Sequence, residues 1–373
     1  MKKIWIGTRE SDILTYEFFD YSITFYGSNK GTNRAFCSLH RFVSNYSTEF
    51  TNFVVGQLDM LYEQHNCRME IHFYNNVFAY KILEVRPQFK HLIKNINSLY
   101  IINSVRHKSL SRLWLSNAVP TPAFTTLCRD ECSVMNLQKK FGNHDQFILQ
   151  KNYSGGGTGT FIINLNNEEF VLSQLSKEEL FLVSPFYEQC DSYSCHMFIS
   201  ESNYLILPAS KQIINNSDNH MYYNGNDYST ITPQVSALIV DSTKRICSKL
   251  MQFGYRGICG ADYIIKDNQA ILIELNPRYM GSSFAINYAL KKLSLPSLFD
   301  INNRCFDNQL EPNLLNQKLE LDFKNYSLYY DKNNKNALKS VLKNNSAIVY
   351  QDGCLDAITF DEHTYLCHYL LFS

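Results

Sequence analysis

Asp262, Glu274, Asn276 and Arg278 crowd into one short stretch, ADYIIKDNQAILIELNPR, and are residue types that hold metal ions and phosphates. YII and AILIE read as two strands joined by a turn at Lys266-Asp267-Asn268-Gln269. Such a hairpin sets Asp262, after the Gly-rich approach GYRGICGAD, at the start of one strand beside the end of its partner. Glu274 and Asn276 are two apart and share a strand face. Two carboxylates and an amide oxygen on one face make a hard-oxygen site suited to Mg²⁺, which takes one or two carboxylates plus substrate phosphates. Arg278, just past the fixed φ of Pro277, is placed to hold a phosphate or a developing oxyanion.

A second constellation lies upstream. FILQKNYSGGGTGTFII (147–163) reads as strand, Gly-rich loop, strand, with Lys151 ending the first strand. No Gly-Lys-Ser/Thr follows, so it is not a P-loop, and a strand rather than a helix follows its glycines, which excludes a dinucleotide fingerprint. By turn chemistry alone SGGGTG is equally a hairpin connector or a phosphate cover.

Together, E-L-N-P-R after an acidic strand and the Lys-led glycine loop resemble the ATP-grasp family. The resemblance implies that Asp262, Glu274 and Asn276 carry Mg²⁺ (Mn²⁺ as the alternative) for ATP, and that Ser154, Gly155, Gly156, Gly157 and Thr158 cover the triphosphate with Lys151 on phosphate. KSLSRLWLSNAVPTPAF is similar to the family's K…L…G-(I/V)-P-(T/V)-P stretch, making Lys108 a phosphate contact; Asn117 stands where glycine is usual and also tolerates the helix-end conformation. LFLVSPFYEQCDSYSCHMFI (180–199) reads as two strands flanking an acidic turn and resembles the adenine hinge. Ser184 and Phe186 then border the base and Glu188 takes the ribose hydroxyls, although Ser184-Pro185 replaces the Gln-Glu of many members. Lys211, ending NYLILPASK, matches a basic position near the γ-phosphate and is a catalytic candidate. So are Arg278 and the Gly281-Ser282-Ser283 turn, for an oxyanion.

The elements around these residues point to an α/β (α+β) chain of the ATP-grasp fold: a small N-terminal α/β domain, a central lid and a C-terminal antiparallel sheet. The expected divisions are 1–105, 106–180 with the glycine loop, and 181–373 with the metal site and a C-terminal extension. KIWIG, SITFYG and EIHFYNN read as strands of a small parallel sheet, 33–65 is helix-permissive, and SLYIIN (98–103) closes the unit. Tyr74, Asn75 and Asn76 lie where a strand's carboxyl end opens toward a ligand, though a β-turn explains Asn-Asn equally well. Residues 234–253 and FAINYALKKL read as helices, while 297–345 carries no usable motif. SAIVYQDG and ITFDEHTYLCHYLLF supply late strands, with His363 and His368 in structural roles.

Equal totals of 35 Lys+Arg and 35 Asp+Glu argue against a nucleic-acid binder held by bulk charge. No apolar stretch suffices for a membrane span or a signal peptide. Eleven cysteines, with no C-x-x-C pair, read as reduced thiols of a cytoplasmic protein. The resemblance implies an ATP-dependent carboxylate–amine ligase acting on an amino acid or peptide, through an acyl phosphate. The alternatives are loading an amino acid onto a carrier-protein thiol, a small-molecule kinase, and a non-ligating nucleotide binder. The partner expected is a small-molecule or peptide substrate or a carrier protein, with a second copy of the chain, as a homodimer, a further candidate.

Overall fold

The computed structural model describes residues 1–25, 34–37, 47–154, 159–217, 220–315, 319, 321–329, 347–351 and 365–372. Gly155, Gly156, Gly157, Thr158 and His363 lie outside the described residues, as does the side chain of His368.

The chain begins with a parallel sheet. β1 (Lys2–Ile6), β2 (Tyr21–Thr24) and β3 (Arg34–Cys37) run side by side. Helix α1 (Thr48–Gln64) then crosses over to β4 (Met69–Phe73), on the other flank of β1, giving the order β3-β2-β1-β4. Ser47 starts α1 by accepting from the Phe50 amide, and the helix buries Phe50, Val54, Leu58 and Leu61 against the sheet's Ile4, Ile6, Ile23 and Ile71. The carboxyl ends of β1 and β4 form the topological switch point of this sheet, the position where open α/β sheets bind ligands. After β4, Asn75 caps α2 (Asn76–Val85) through its side-chain oxygen on the Val77 amide. SLYIIN differs from its strand-like composition. It belongs to helix α3 (Leu99–Arg106), because Ser98 caps it and Ile102 and Val105 fall on one buried face. Helix α4 (Lys108–Leu115) follows directly.

A four-stranded antiparallel sheet carries the glycine loop. Its strands are β5 (Thr125–Cys128), β6 (Phe147–Lys151), β7 (Thr160–Ile163) and β8 (Leu180–Pro185), in the order β5-β8-β6-β7, with helices α5 (Val134–Phe141) and α6 (Glu168–Gln174) between them in sequence. The loop joins β6 to β7, so its two stems are locked in adjacent strands. Gly159 has φ 73°, and a Cβ there would sit 2.8 Å from Lys151 Cδ, so the loop's exit needs glycine.

The third and largest sheet is antiparallel. It contains β9 (Ser192–Ile199), β10 (Tyr204–Ile206), β11 (Ser210–Ser217) and β12 (His220–Asp227). After helix α7 (Pro233–Gln252) come β13 (Gly257–Lys266) and β14 (Gln269–Asn276). Helices α8 (Ser283–Lys292) and α9 (Leu298–Phe306) precede β15 (Phe323–Tyr329), β16 (Ala347–Gln351) and β17 (Tyr365–Phe372). The main path runs β14-β13-β9-β11-β12-β15-β17-β16. Thr232 caps α7, whose Ile239, Ile246 and Leu250 pack with Met197, Cys259 and Leu272 of the sheet. The architecture is the expected α/β arrangement: parallel sheet first, antiparallel sheets after it.

Candidate active site

The site is built on the β13–β14 hairpin. Its two-residue turn, Asp267-Asn268, has φ of 48° and 58°, the left-handed pair that matches strand twist and that Asp and Asn tolerate. The Gly-rich approach proves to be the first half of β13, so Asp262 stands mid-strand rather than at its start. Met280 fills the space that a Cβ on Gly260 would occupy, so a larger residue there must displace the methionine. Antiparallel register sets Asp262 opposite Glu274 and Gly260 opposite Asn276, with a bulge immediately after Asp262. The bulge interrupts alternation at the point where the two carboxylates meet.

Asn276 Nδ2 donates to Asp262 Oδ2 at 2.8 Å and to Glu274 Oε1 at 3.4 Å, so one amide bridges both acids. Gln212 Nε2, on β11, donates to Asp262 Oδ1 at 3.0 Å. Burial and the neighbouring charge of Glu274 push Asp262 well above the usual carboxylate range. Burial also opposes ionisation of Glu274, but Lys108 and then Arg278 outweigh it and hold Glu274 below its ordinary value.

Lys108 is only 3 % exposed, and its Nζ lies 3.1 Å from Glu274 Oε2. The same ammonium donates to Ser154 O at 2.7 Å and Ser154 Oγ at 3.0 Å. One lysine thus ties the acid pair to the entrance of the glycine loop. Arg278 Nη2 donates to Asn276 Oδ1 at 3.0 Å, and its Nη1 to the Tyr279 carbonyl at 2.9 Å. Its guanidinium lies 5.9 Å from the centroid of the Tyr74 ring. Asn75 and Arg278 form an antiparallel bridge, and the Tyr279 amide donates to Tyr74 O. The parallel sheet's switch point is therefore joined directly to the hairpin's end.

Other candidates are brought less close. Lys151 Nζ pairs with Glu179 at 2.8 Å and Lys211 Nζ with Asp191 at 2.7 Å, both in partly exposed pairs. Exposed pairs of this kind are worth about 1 kcal/mol or less, so exchanging a carboxylate for a phosphate costs little. Lys211 opens β11 rather than ending the strand before it. Strand alternation then turns its neighbour Gln212, not Lys211, toward Asp262. Ser184 is buried in the β8 ladder opposite Ile148, and the Phe186 amide donates to Gln146 O. Glu188 is exposed in the β8–β9 turn. Ser282 and Ser283 are 1 % and 0 % exposed. The Ser283 hydroxyl accepts from the Met280 amide and lies 2.9 Å from His196 Nε2, so it orders the turn. Burial and Arg278 push His196 down to about 3, which keeps it neutral.

The profile of the ATP-grasp domain matches residues 105–282, which spans α4, the glycine-loop sheet and the hairpin. Residues 105–282 form an ATP-grasp domain. The [Butirosin acyl-carrier protein]--L-glutamate ligase of Niallia circulans is 22% identical over 255 residues, covering 66% of this chain and 58% of that protein. The chain thus spans a little over half the length of that relative. Among solved structures, the carboxyaminoimidazole ribonucleotide synthase of Aspergillus clavatus, complexed with ATP, superposes with TM-score 0.68. It is 12% identical, with coverage of 100% of this chain and 94% of that one. The L-amino acid ligase of Bacillus licheniformis superposes with TM-score 0.63 at 12% identity, covering 100% and 93%. At these identities the structural likeness speaks for the fold.

Within the ATP-grasp domain, the donor set fits a divalent cation. Asp262 and Glu274 face each other across the hairpin, and the charge of Glu274 disfavours ionisation of Asp262, a repulsion that a hard cation would relieve. Among the described residues no cluster of three His, Cys, Asp or Glu side chains offers a closed cage, so substrate oxygens would complete the coordination. Two residues of the site were not singled out from sequence. Gln212 follows Lys211 and needs the strand's register to be found. Arg112, one helical turn after Lys108 on α4, is fully buried behind the hairpin, and its i+4 spacing was a readable signal.

Proposed function

We propose that the protein is an ATP-dependent ligase that activates a substrate carboxylate as an acyl phosphate and joins it to an amine of an amino acid or peptide. The observation that carries this reading is the Asp262–Glu274 pair of an ATP-grasp domain, with Lys108 on one side and Arg278 on the other. Bound there, Mg²⁺ would be held by Asp262, Glu274 and Asn276 and would offset phosphate charge. Lys108 and Lys151 attract the triphosphate, and Glu188 stands in the turn expected to meet the ribose. The substrate carboxylate oxygen attacks the γ-phosphorus in line, the bond to the β-phosphate oxygen breaks, and ADP leaves. Positioning and electrostatics supply most of that rate.

In the second step the amine nitrogen attacks the acyl carbon, inorganic phosphate departs with the C–O bond electrons, and the nitrogen loses a proton. Arg278 stabilises the oxyanion formed in between. Its anchoring on Asn276 and Tyr279 leaves it at the seam between the metal strand and the switch point of the parallel sheet, where Tyr74 and Asn75 border the acceptor.

A second reading is loading of an amino acid onto a carrier-protein thiol; the likeness to a ligase that acts on an acyl-carrier protein favours it. The two share the first half-reaction. ADP release measured across a panel of amino acids, peptides and a phosphopantetheinyl thiol, with hydroxylamine to trap the acyl group, separates them. ADP formation dependent on an amino acid and an amine supports the first. A thioester as the sole product supports the second.

A further inference from the structure

Arg112 has a place in the fold that the reaction above does not use. Helix α4 presents two cations one turn apart, and only Lys108 meets a carboxylate. Arg112 is 1 % exposed, and among the described residues no carboxylate pairs with it. Its Nε donates to Ile273 O at 2.9 Å and its Nη2 to Gln150 Oε1 at 3.0 Å. Its Nη1 is buried with no acceptor among the described residues. Ile273 directly precedes Glu274 on β14, and Gln150 directly precedes Lys151 on β6. A single planar fork therefore spans two different sheets, each time one residue short of a candidate phosphate- or metal-site residue.

Packing alone does not account for it. A guanidinium buried with no carboxylate in direct contact carries a desolvation penalty that two hydrogen bonds to neutral acceptors and the charge of nearby Glu274 do not offset, and an apolar side chain of similar volume would fill the space at lower cost. Burial draws Arg112 down to about 10, so it remains charged at neutral pH. Only the arginine fork can bond both strands at once; a lysine has one head.

We propose that Arg112 is a positioning residue of the nucleotide site, clamping β6 to β14 so that Lys151 and Glu274 are held on the same triphosphate. This rests on the reading of the ATP-grasp domain as an ATP site. Removing the fork lets the glycine-loop sheet shift against the hairpin and weakens nucleotide binding, even where the fold survives.

The test is isothermal titration of the full chain with a Mg²⁺–ATP analogue that is not hydrolysed, on the unmodified protein and on R112M, R112K, Q150L and R112M/Q150L, with circular dichroism and melting to score folding. Folded R112M should bind at least ~10-fold more weakly (about 1.4 kcal/mol by the affinity relation). R112K, which keeps the charge but not the second bond, should bind as weakly as R112M wherever it folds. Q150L alone should weaken binding several-fold, and adding it to R112M should cost nothing further, because the clamp is already broken. Should R112M fail to fold, Q150L, which keeps Arg112, decides the matter. Equal affinities in the unmodified chain and in folded R112M or Q150L would overturn the proposal alone. A chain that binds no nucleotide in any form would overturn the ATP-site reading together with it.

Discussion

Glu274 does two jobs at once: it is one of two facing acids on the hairpin and the counter-charge of buried Lys108. Glu274→Gln should therefore lower ADP formation by at least ~10²-fold, as removal of a strong electrostatic contributor does. It should also cost stability on the order of 1–3 kcal/mol, because Lys108 then keeps only neutral acceptors on Ser154 and Lys151. Turnover like that of the unmodified chain at low Mg²⁺ would refute the assignment. Arg278 should behave differently. Its contacts put it on the seam beside Tyr74, so Arg278→Ala should leave the nucleotide Kd within ~10-fold while the amide-forming rate falls at least ~10²-fold. Parallel losses in both would place Arg278 on ATP instead. At this scale the sequence revealed residue types better than partners. Asp262, Glu274, Asn276 and Lys108 do converge. Gln212 escaped notice because its importance lies in strand register, which no motif records, whereas the i+4 spacing of Arg112 from Lys108 was there to be read.

Among the elements, two turns are predicted to be sensitive for reasons readable in their packing. Gly260 leaves the space that Met280 fills, and Met280 in turn donates its amide to Ser283. Gly260→Ala should destabilise by about 1–3 kcal/mol through overpacking, seen as a lower midpoint in urea with an unchanged slope; an unaltered midpoint would show that Met280 moves freely. The loop after β1 is organised by Asp12, whose Oδ2 accepts from the Thr8 and Arg9 amides. Burial raises Asp12 from 3.8 to about 6, so between those values the folded chain binds more protons than the unfolded one. Stability from this group is therefore present at acid pH and lost as pH rises through that window. Asp12→Asn should remove this loss, so its stability relative to the unmodified chain should improve by up to roughly 3 kcal/mol from pH 4 to pH 7; parallel melting curves would contradict it. The hairpin and the strands around the glycine loop were legible from alternation and turn residues. Lys211 misled because one short strand, NYLILPASK, is in fact two.

For the whole molecule, the order of motifs along the chain was enough to indicate an ATP-grasp domain, since lysine, glycine loop, hinge and acidic hairpin must recur in that order to meet at one place. How the parallel sheet docks on that domain was not legible, because it depends on the Asn75–Arg278 bridge between residues some two hundred positions apart. On that docking rests the proposal that carboxylate activation at the hairpin is completed by amine attack at the seam. Trapping with hydroxylamine tests it most directly, in single turnovers with ATP, Mg²⁺ and a panel of amino acids. The account predicts a hydroxamate formed in proportion to ADP when the amine is withheld, replaced by amide when the amine is added. A stable phosphorylated product that neither hydroxylamine nor any amine or thiol consumes would contradict it.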